Sequence, residues 1–314
     1  MDERFKRYFM NSNQVLVNRF GKNISNNTSL SNYSWFNLGG PAEFLFKPEN
    51  KNQLIEFLKE NNKKNKFKVT IIGAGSNILI RDKGIKGVVI KLGSSFSKIN
   101  LIDKTTIEAG AGTLDRKISI FAKDNEIGGM EFLSCIPGSI GGAVVMNSGC
   151  YGAEISNILH SINIIDLNKC EEREIKKNDI KFFYRGTNLP KDIIITSVKV
   201  KGKTNSKQTI EKIQNDMIER KKKSQPSQVK TCGSTFKNFN KDKKAWQLIK
   251  ETGCDQFKEG DAIISKKHCN FFVNNGKANS TDIEKLIYRV KQTVNKKTGV
   301  DLELEIKIIG EKKI

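Results

Sequence analysis

The chain has 314 residues, 37% of them hydrophobic and only five of them proline, which excludes a collagen-like or disordered polymer and leaves room for two or three domains. Its formal charge of +21 comes from lysines spread through nearly every segment, with few aromatics among the runs at 63–68, 221–223 and 241–244. That pattern reads as a lysine-filled surface rather than a stacking platform for single-stranded nucleic acid.

From the N-terminus, residues 1–20 (MDERFKRYFMNSNQVLVNRF) break their apolar positions with charges, unlike a secretory signal, and residues 1–30 read as a poorly ordered, mildly basic lead-in. No apolar run in the chain approaches the roughly 20 residues of a membrane span, so residence in the cytoplasm without a membrane partner is expected. The segment 37–46 (NLGGPAEFLF) ends in a strand, and 50–61 carries Leu54, Ile55 and Leu58 on one helical face. Strands are expected at 67–73 and 86–92, and again at 106–112, followed by a helix presenting Leu114, Ile118, Phe121 and Ala122. Further strands fall at 161–167 and 192–200. The helix at 207–224 places Ile210, Ile213 and Met217 at helical spacing, and a second helix surrounds 245–253. Short strands follow at 262–265 and 271–273. The last helix is expected to open on a capping box, Thr281-x-x-Glu284, to bury Ile283, Leu286, Ile287, Val290 and Val294, and to stop at Gly299. The closing strand from 300 alternates, with Leu302, Leu304, Ile306 and Ile308 inward.

Two stretches are glycine-rich for a reason the elements do not supply. Gly73-Ala74-Gly75-Ser76-Asn77 follows an apolar strand, and its small residues would let main-chain N–H groups approach a phosphate. It lacks the lysine of a P-loop and the third glycine of a dinucleotide fingerprint, so a tight turn explains it equally well. Gly138-Ser139-Ile140-Gly141-Gly142-Ala143 sits inside the apolar stretch 130–146, where glycine sacrifices backbone entropy. Two such loops suggest a cofactor with two phosphates. Six cysteines without a Cys-x-x-Cys pair, and two histidines, point to reduced thiols and no metal site.

Taken in order, these stretches resemble the UDP-N-acetylenolpyruvoylglucosamine reductase (MurB) family. The resemblance runs through 37–42 (NLGGPA), 72–80 (IGAGSNILI), 129–143 (GMEFLSCIPGSIGGA), Met146-Asn147 to Tyr151-Gly152, Tyr184-Arg185, Gln225-Pro226, 232–238 (CGSTFKN), Ser265-x-x-His268-x-Asn270-Phe271 and Glu305-Ile306-Lys307. It departs from the family at Phe239, where proline is usual, and at Gly186-Thr187, where a His-Ser pair is common. The resemblance implies an α+β fold: a two-part FAD-binding module of the vanillyl-alcohol-oxidase (PCMH) type over 1–205, with subdomains at about 1–92 and 93–205. A smaller α+β substrate-binding domain is implied at 206–298, and a C-terminal strand at 299–314 returning toward the flavin.

The family reaction reduces an enol ether conjugated to a carboxylate, using NADPH and FAD, and needs a stabiliser for the developing negative charge and a proton donor. By resemblance Arg185 is the stabiliser, its planar fork suited to an enediolate. Ser234 is the proton donor, and Glu305 is its electrostatic or relay partner. Local sequence alone would leave Arg185 at a strand end, Ser234 in a turn and Glu305 on a solvated face. The resemblance assigns Gly73, Ala74, Gly75, Ser76, Asn77, Gly138, Ser139, Gly141, Gly142 and Ala143 to FAD. Tyr184 and Asn238 are candidates for holding the substrate, and Lys223 or a neighbour for meeting its pyrophosphate. His268 reads as structural. A monomer is expected, with the UDP-sugar and NADPH as its small-molecule partners. The alternatives are a FAD-dependent alcohol oxidase of the same fold and, from the charge alone, a basic nucleic-acid-binding protein.

Overall fold

The structure is a computed structural model that describes residues 19–239 and 243–312. Of the lead-in expected over 1–30, the part before residue 19 lies outside the described residues, as does part of the lysine run 241–244; residues 24–29 are not loose but form the edge strand Ile24–Ser29. The α+β class is as expected, and the chain divides into two compact units that are interleaved in sequence. The first comprises Met1–Thr28, Ala42–Gly73 and Lys86–Ile210, and the second Ser29–Pro41, Ala74–Ile85 and Glu211–Ile314. The resemblance implied consecutive blocks, 1–205, 206–298 and 299–314; by its contacts the chain also places 29–41 and 74–85 with the C-terminal residues.

The first unit is built on two sheets. One has the order Ile24–Ser29, Pro41–Phe46, Ile85–Lys91, Val69–Ile72, with the last pair parallel. The helix Lys51–Glu60 buries Leu54, Phe57 and Leu58. Phe57 stacks on Phe46 at 4.3 Å, and Phe20 meets both rings edge-on at 5.5 and 5.4 Å, a geometry that aromatic quadrupoles favour. The other sheet is antiparallel, in the order Glu172–Lys176, Leu159–Asp166, Ile193–Lys201, Thr106–Gly110, Ile99–Leu101. Ile162, Val198 and Ala109 lie in register across its centre and are buried.

Two local expectations change here. The glycine stretch 138–143 is not all loop: a short helix, Ile140–Val145, starts after Ser139 and packs on the strands Ile193–Lys201 and Thr106–Gly110. The helix Asp115–Asp124 buries Ile118 and Ala122 as expected, yet Leu114 is 46% exposed and Asp115 is fully buried. Leu114 is the extended N-cap residue (φ −67°, ψ 135°), so the helical register begins one residue later and Asp115 takes the inward slot.

In the second unit the antiparallel sheet Lys258–Glu259, Ala262–Ile264, Phe272–Asn274 packs against the helix Ser280–Thr298. That helix buries Ile283, Leu286, Ile287, Val290 and Val294 and ends at Gly299, whose φ of +73° suits glycine. The capping box lies two residues before its expected place. Asn279 accepts the Asp282 N–H at 2.8 Å while Asp282 accepts the Asn279 N–H at 3.0 Å. Thr281 and Glu284 are engaged elsewhere: the Thr281 hydroxyl donates to Asp82 at 2.6 Å, and Glu284 receives a two-pronged Arg81 at 2.9 and 2.8 Å. Burial alone would raise the Asp82 carboxyl. Hydrogen bonds from the Thr281 hydroxyl and the Ser280 and Thr281 N–H groups hold it below the ordinary carboxylate range instead.

The closing strand is shorter than its alternation suggested. Only Lys307–Ile309 forms regular pairing, parallel to Ile78–Ile80. Residues 303–305 instead exchange hydrogen bonds with 235–237: the Lys237 N–H donates to the Glu303 carbonyl at 2.8 Å and the Glu305 N–H to the Thr235 carbonyl at 2.9 Å. Leu302 and Ile306 are buried, and Leu304 and Ile308 are partly buried against the same core.

Candidate active site

In the first unit the segment 138–143 supplies a surface whose glycines have two different causes. A Cβ on Gly141 would come within 2.9 Å of the Ala111 side chain, so close packing against the protein requires glycine there. Gly142 is different. Its Cβ would meet nothing nearer than the Ser139 hydroxyl, at 3.8 Å, and its φ is not positive. It is exposed within the helix Ile140–Val145, where glycine costs about 1 kcal/mol relative to alanine. Among the described residues no close packing calls for glycine at 142, which fits a main chain left open to a cofactor. Ser139 is buried, and its hydroxyl lies 2.7 Å from where a Cβ on Gly73 would sit. Lys91 donates a hydrogen bond to the Gly73 carbonyl. Burial, and secondarily the charge of Lys47, lowers the pKa of the Lys91 ammonium. A half-buried lysine hydrogen-bonded to a glycine turn is a feature suited to a phosphate-bearing group. The sequence hid it, since Lys91 ends a strand in a chain full of lysines.

Residues 74–77 count with the second unit. Gly75 has φ +75°, and a Cβ there would lie 1.9 Å from the Tyr33 carbonyl oxygen, so this glycine answers to backbone sterics. Ala74 and Ser76 are partly exposed beside it. The Asn77 amide donates to the Glu305 carbonyl at 3.1 Å, and the Asn77 carbonyl accepts the Lys307 N–H at 2.9 Å.

Tyr184 and Arg185 form the turn of a two-residue hairpin in which Phe182–Phe183 pairs with Gly186–Thr187. Arg185 is left-handed, with φ +59°, a conformation costly for a non-glycine residue and typical of functional turns. Its guanidinium donates to the Gly149 carbonyl at 2.9 Å and lies 5.1 Å from the centre of the Tyr184 ring. The fork is thus pre-aimed by a carbonyl and an aromatic face. Tyr184 is 49% exposed.

Ser234 and Glu305 lie on neighbouring segments of the second unit. Ser234 follows Gly233, whose φ of +79° no other residue adopts readily, and forms an isolated antiparallel bridge with Phe271. Glu305 joins the same segment through its N–H to the Thr235 carbonyl. Asn238 lies four residues beyond Ser234, and its side-chain oxygen accepts the Ala245 N–H at 3.2 Å, starting the helix Ala245–Glu251. Lys223 is exposed in the last turn of the helix Lys207–Ser224, beside Lys222, which pairs with Glu219 at 2.7 Å. Cys232 is a buried thiol that donates to the Ile78 carbonyl at 3.3 Å, and burial pushes its pKa up to about 11. Neither it nor Asn270 was assigned a role from sequence, because a buried polar partner of a main chain leaves no spacing signature.

Among the described residues no group of His, Cys, Asp and Glu could hold a metal ion, and no helix is long and apolar enough to cross a membrane.

The chain can be set beside known proteins on this geometry. Residues 225–309 match the family model described as UDP-N-acetylenolpyruvoylglucosamine reductase, C-terminal domain, and residues 42–171 match a FAD binding domain. The chain is 46% identical over 297 residues to the UDP-N-acetylenolpyruvoylglucosamine reductase of Pelagibacter ubique (strain HTCC1062), covering 93% of this chain and 96% of that one. It is 39% identical over 284 residues to the protein of the same name from Wolbachia pipientis subsp. Culex pipiens (strain wPip), covering 90% and 95%. Among solved structures it resembles the UDP-N-acetylenolpyruvylglucosamine reductase (MurB) of Thermus caldophilus. The TM-score is 0.79 at 30% identity, over 90% of this chain and 98% of that one.

Proposed function

Since the chain belongs to the UDP-N-acetylenolpyruvoylglucosamine reductase family, we propose that it catalyses the NADPH-dependent, FAD-mediated reduction of UDP-N-acetylglucosamine enolpyruvate to UDP-N-acetylmuramate. The reaction is a step in peptidoglycan precursor synthesis, carried out by a monomer in the cytoplasm. The observation that carries the site reading is the pairing of the segments that hold Ser234 and Glu305, which includes the 2.9 Å bond from the Glu305 N–H to the Thr235 carbonyl.

The FAD would be held by Gly73, Ala74, Gly75, Ser76 and Asn77, and by Gly138, Ser139, Gly141, Gly142 and Ala143, with Gly142 leaving main chain open to it. Bound there, FAD reduced by NADPH would supply hydride chemistry toward the terminal carbon of the enolpyruvyl group. Arg185 then meets the negative charge that develops over the substrate's carboxylate and α-carbon. A planar guanidinium already aimed by Gly149 and Tyr184 needs little reorganisation to do so. The Ser234 hydroxyl gives its proton to the α-carbon, which is basic enough at that stage to take it at short range. Glu305 supports that transfer as an electrostatic or relay partner. Tyr184 and Asn238 hold the sugar nucleotide, and Lys223 or a neighbouring lysine meets its pyrophosphate as a point charge.

The test is an anaerobic visible spectrum of the flavin-loaded protein. NADPH should bleach it, and the enolpyruvyl substrate should restore the oxidised spectrum. Ser234→Ala should slow the restoration by about 10²-fold or more while leaving the bleaching intact. A protein that binds no flavin after reconstitution, or a reduced flavin that the substrate leaves unchanged, would sink the proposal. An alcohol oxidase would instead consume oxygen with an alcohol and no NADPH.

A further inference from the structure

We propose that Asn270 is a positioning residue for the proton-donating step, its side-chain amide fixing the short backbone segment that carries the Ser234 hydroxyl. The inference rests on the reading of Ser234 as the proton donor.

Asn270 is only 3% exposed, and every polar group it has is directed at this segment or at its own support. Its Oδ1 accepts the Phe236 N–H at 3.0 Å, and its Nδ2 donates to the Phe236 carbonyl at 2.8 Å. Its main-chain carbonyl accepts the Thr235 N–H at 2.8 Å. One side chain therefore does for Phe236 what a neighbouring strand does in a ladder, satisfying both main-chain groups. On the other edge, Thr235 receives the Glu305 N–H at 2.9 Å, and Phe236 bridges Leu304. Residues 234–236 are gripped from both sides, with Asn270 supplying one of them.

The need for a grip follows from Gly233. It precedes Ser234 directly, and its left-handed φ of +79°, with nothing within 4 Å of a would-be Cβ, makes it the point where this backbone turns most freely. Without a clamp beyond it, that freedom passes to the Ser234 hydroxyl. A misplacement of about 1 Å in a reacting group costs on the order of 10²-fold in rate. Asn270 is in turn held by its N–H to Nδ1 of His268 at 3.2 Å. Burial lowers the His268 pKa, which keeps that nitrogen available as an acceptor, and the ring lies 4.8 Å from Phe271.

Ser234 takes part in only one half of the cycle, and that supplies the discriminating readout. The flavin-loaded enzyme and its Asn270→Ala, Asn270→Asp and Asn270→Gln variants are compared by anaerobic stopped flow in the two half-reactions. Asn270→Asp keeps the acceptor for the Phe236 N–H and loses the donor to its carbonyl. Flavin reduction by NADPH is expected to stay within about twofold of the unsubstituted enzyme. Reoxidation by saturating UDP-N-acetylglucosamine enolpyruvate should slow at least about tenfold, with half-saturation moved less than about threefold. In a Ser234→Ala background, Asn270→Ala should add less than about a further twofold, because the two act as one unit. Parallel slowing of both half-reactions, an unchanged reoxidation rate in any variant that keeps its flavin, or losses that multiply in the double variant would each overturn the proposal. Ser234→Ala by itself separates the two levels. If it reoxidises at the normal rate, the Ser234 reading falls and this inference with it; if it is slow while the Asn270 variants are normal, only this inference falls.

Discussion

Replacing Asp115 with asparagine should stabilise the protein, and by an amount that grows with pH. Asp115 is wholly buried at the start of the helix Asp115–Asp124, and neither of its carboxyl oxygens has a hydrogen-bond partner among the described residues. Burial pushes the carboxyl well above the ordinary carboxylate range, so the folded protein keeps its proton where the unfolded chain has lost it. The unfolded chain ionises at about pH 3.9. From there upward, until the folded carboxyl also ionises, the unfolded state binds fewer protons than the folded one. Across that window this residue lowers stability by up to about 1.4 kcal/mol per pH unit as pH rises. The amide of Asp115→Asn cannot ionise and escapes that loss. It leaves two polar ends buried, as the neutral acid does, so the cost of about 1–3 kcal/mol for unpaired polar atoms applies to both and largely cancels. The assay is calorimetry of the flavin-loaded proteins at half-unit steps from pH 4.5 to 8. The gap in Tm between variant and unsubstituted protein should open toward the alkaline end, at about 2 °C per kcal/mol for a domain of some 200 residues. A gap that is constant with pH, or that narrows as pH rises, would refute the reasoning.

Arg185→Ala should lower the rate of flavin reoxidation by the enolpyruvyl substrate by about 10²–10³-fold, the loss expected for one stabiliser of developing charge; a loss under tenfold in stopped flow would remove Arg185 from that role. Gly75→Ala should destabilise by on the order of 3 kcal/mol or more, since its Cβ would lie 1.9 Å from the Tyr33 carbonyl at φ +75°. A guanidinium unfolding midpoint near that of the unsubstituted protein would contradict this. Glu284→Gln should cost about 1–3 kcal/mol, because Arg81 and Glu284 are only 17% and 16% exposed and meet through two bonds. A change inside 0.5 kcal/mol, roughly the scatter of neutral surface substitutions, would place that pair among the weak ones.

Much of the fold was legible because burial imposes its period on the residues. The strand expected at 192–200 and the helix expected from spacing at 207–224 match Ile193–Lys201 and Lys207–Ser224 nearly to the residue. Legibility failed where several residues could do one job. Asn279, Ser280 and Thr281 can each cap a helix, and the choice fell to Asn279 because Asp82, some 200 residues away in sequence, takes the Thr281 hydroxyl. Asp115 was illegible for the opposite reason: a charge is ordinarily exposed, so a helical wheel puts Leu114 inside in its place. The site was carried by motifs more than by local chemistry. No propensity signals the left-handed backbone of Arg185, and the clamp of Asn270 on Phe236 joins residues 34 apart that share no periodicity.

The interleaving of the two units has a consequence for the order in which a growing chain can fold. The chain passes between the units five times, at residues 28/29, 41/42, 73/74, 85/86 and 210/211. The strand Ile78–Ile80 is synthesised well before its partner Lys307–Ile309, which lies more than 200 residues further along the chain. A chain released from the ribosome lays down its elements in sequence, at roughly 5–20 residues per second. For ten seconds or more Ile78, Leu79 and Ile80 therefore wait without the strand that will cover them, while the sheet around Ile85–Lys91 and Val69–Ile72 already has its own. Ile309 must be made before this strand of the second unit finds its partner, so a chain cut before Lys307 would leave an unpaired apolar edge at Ile78–Ile80.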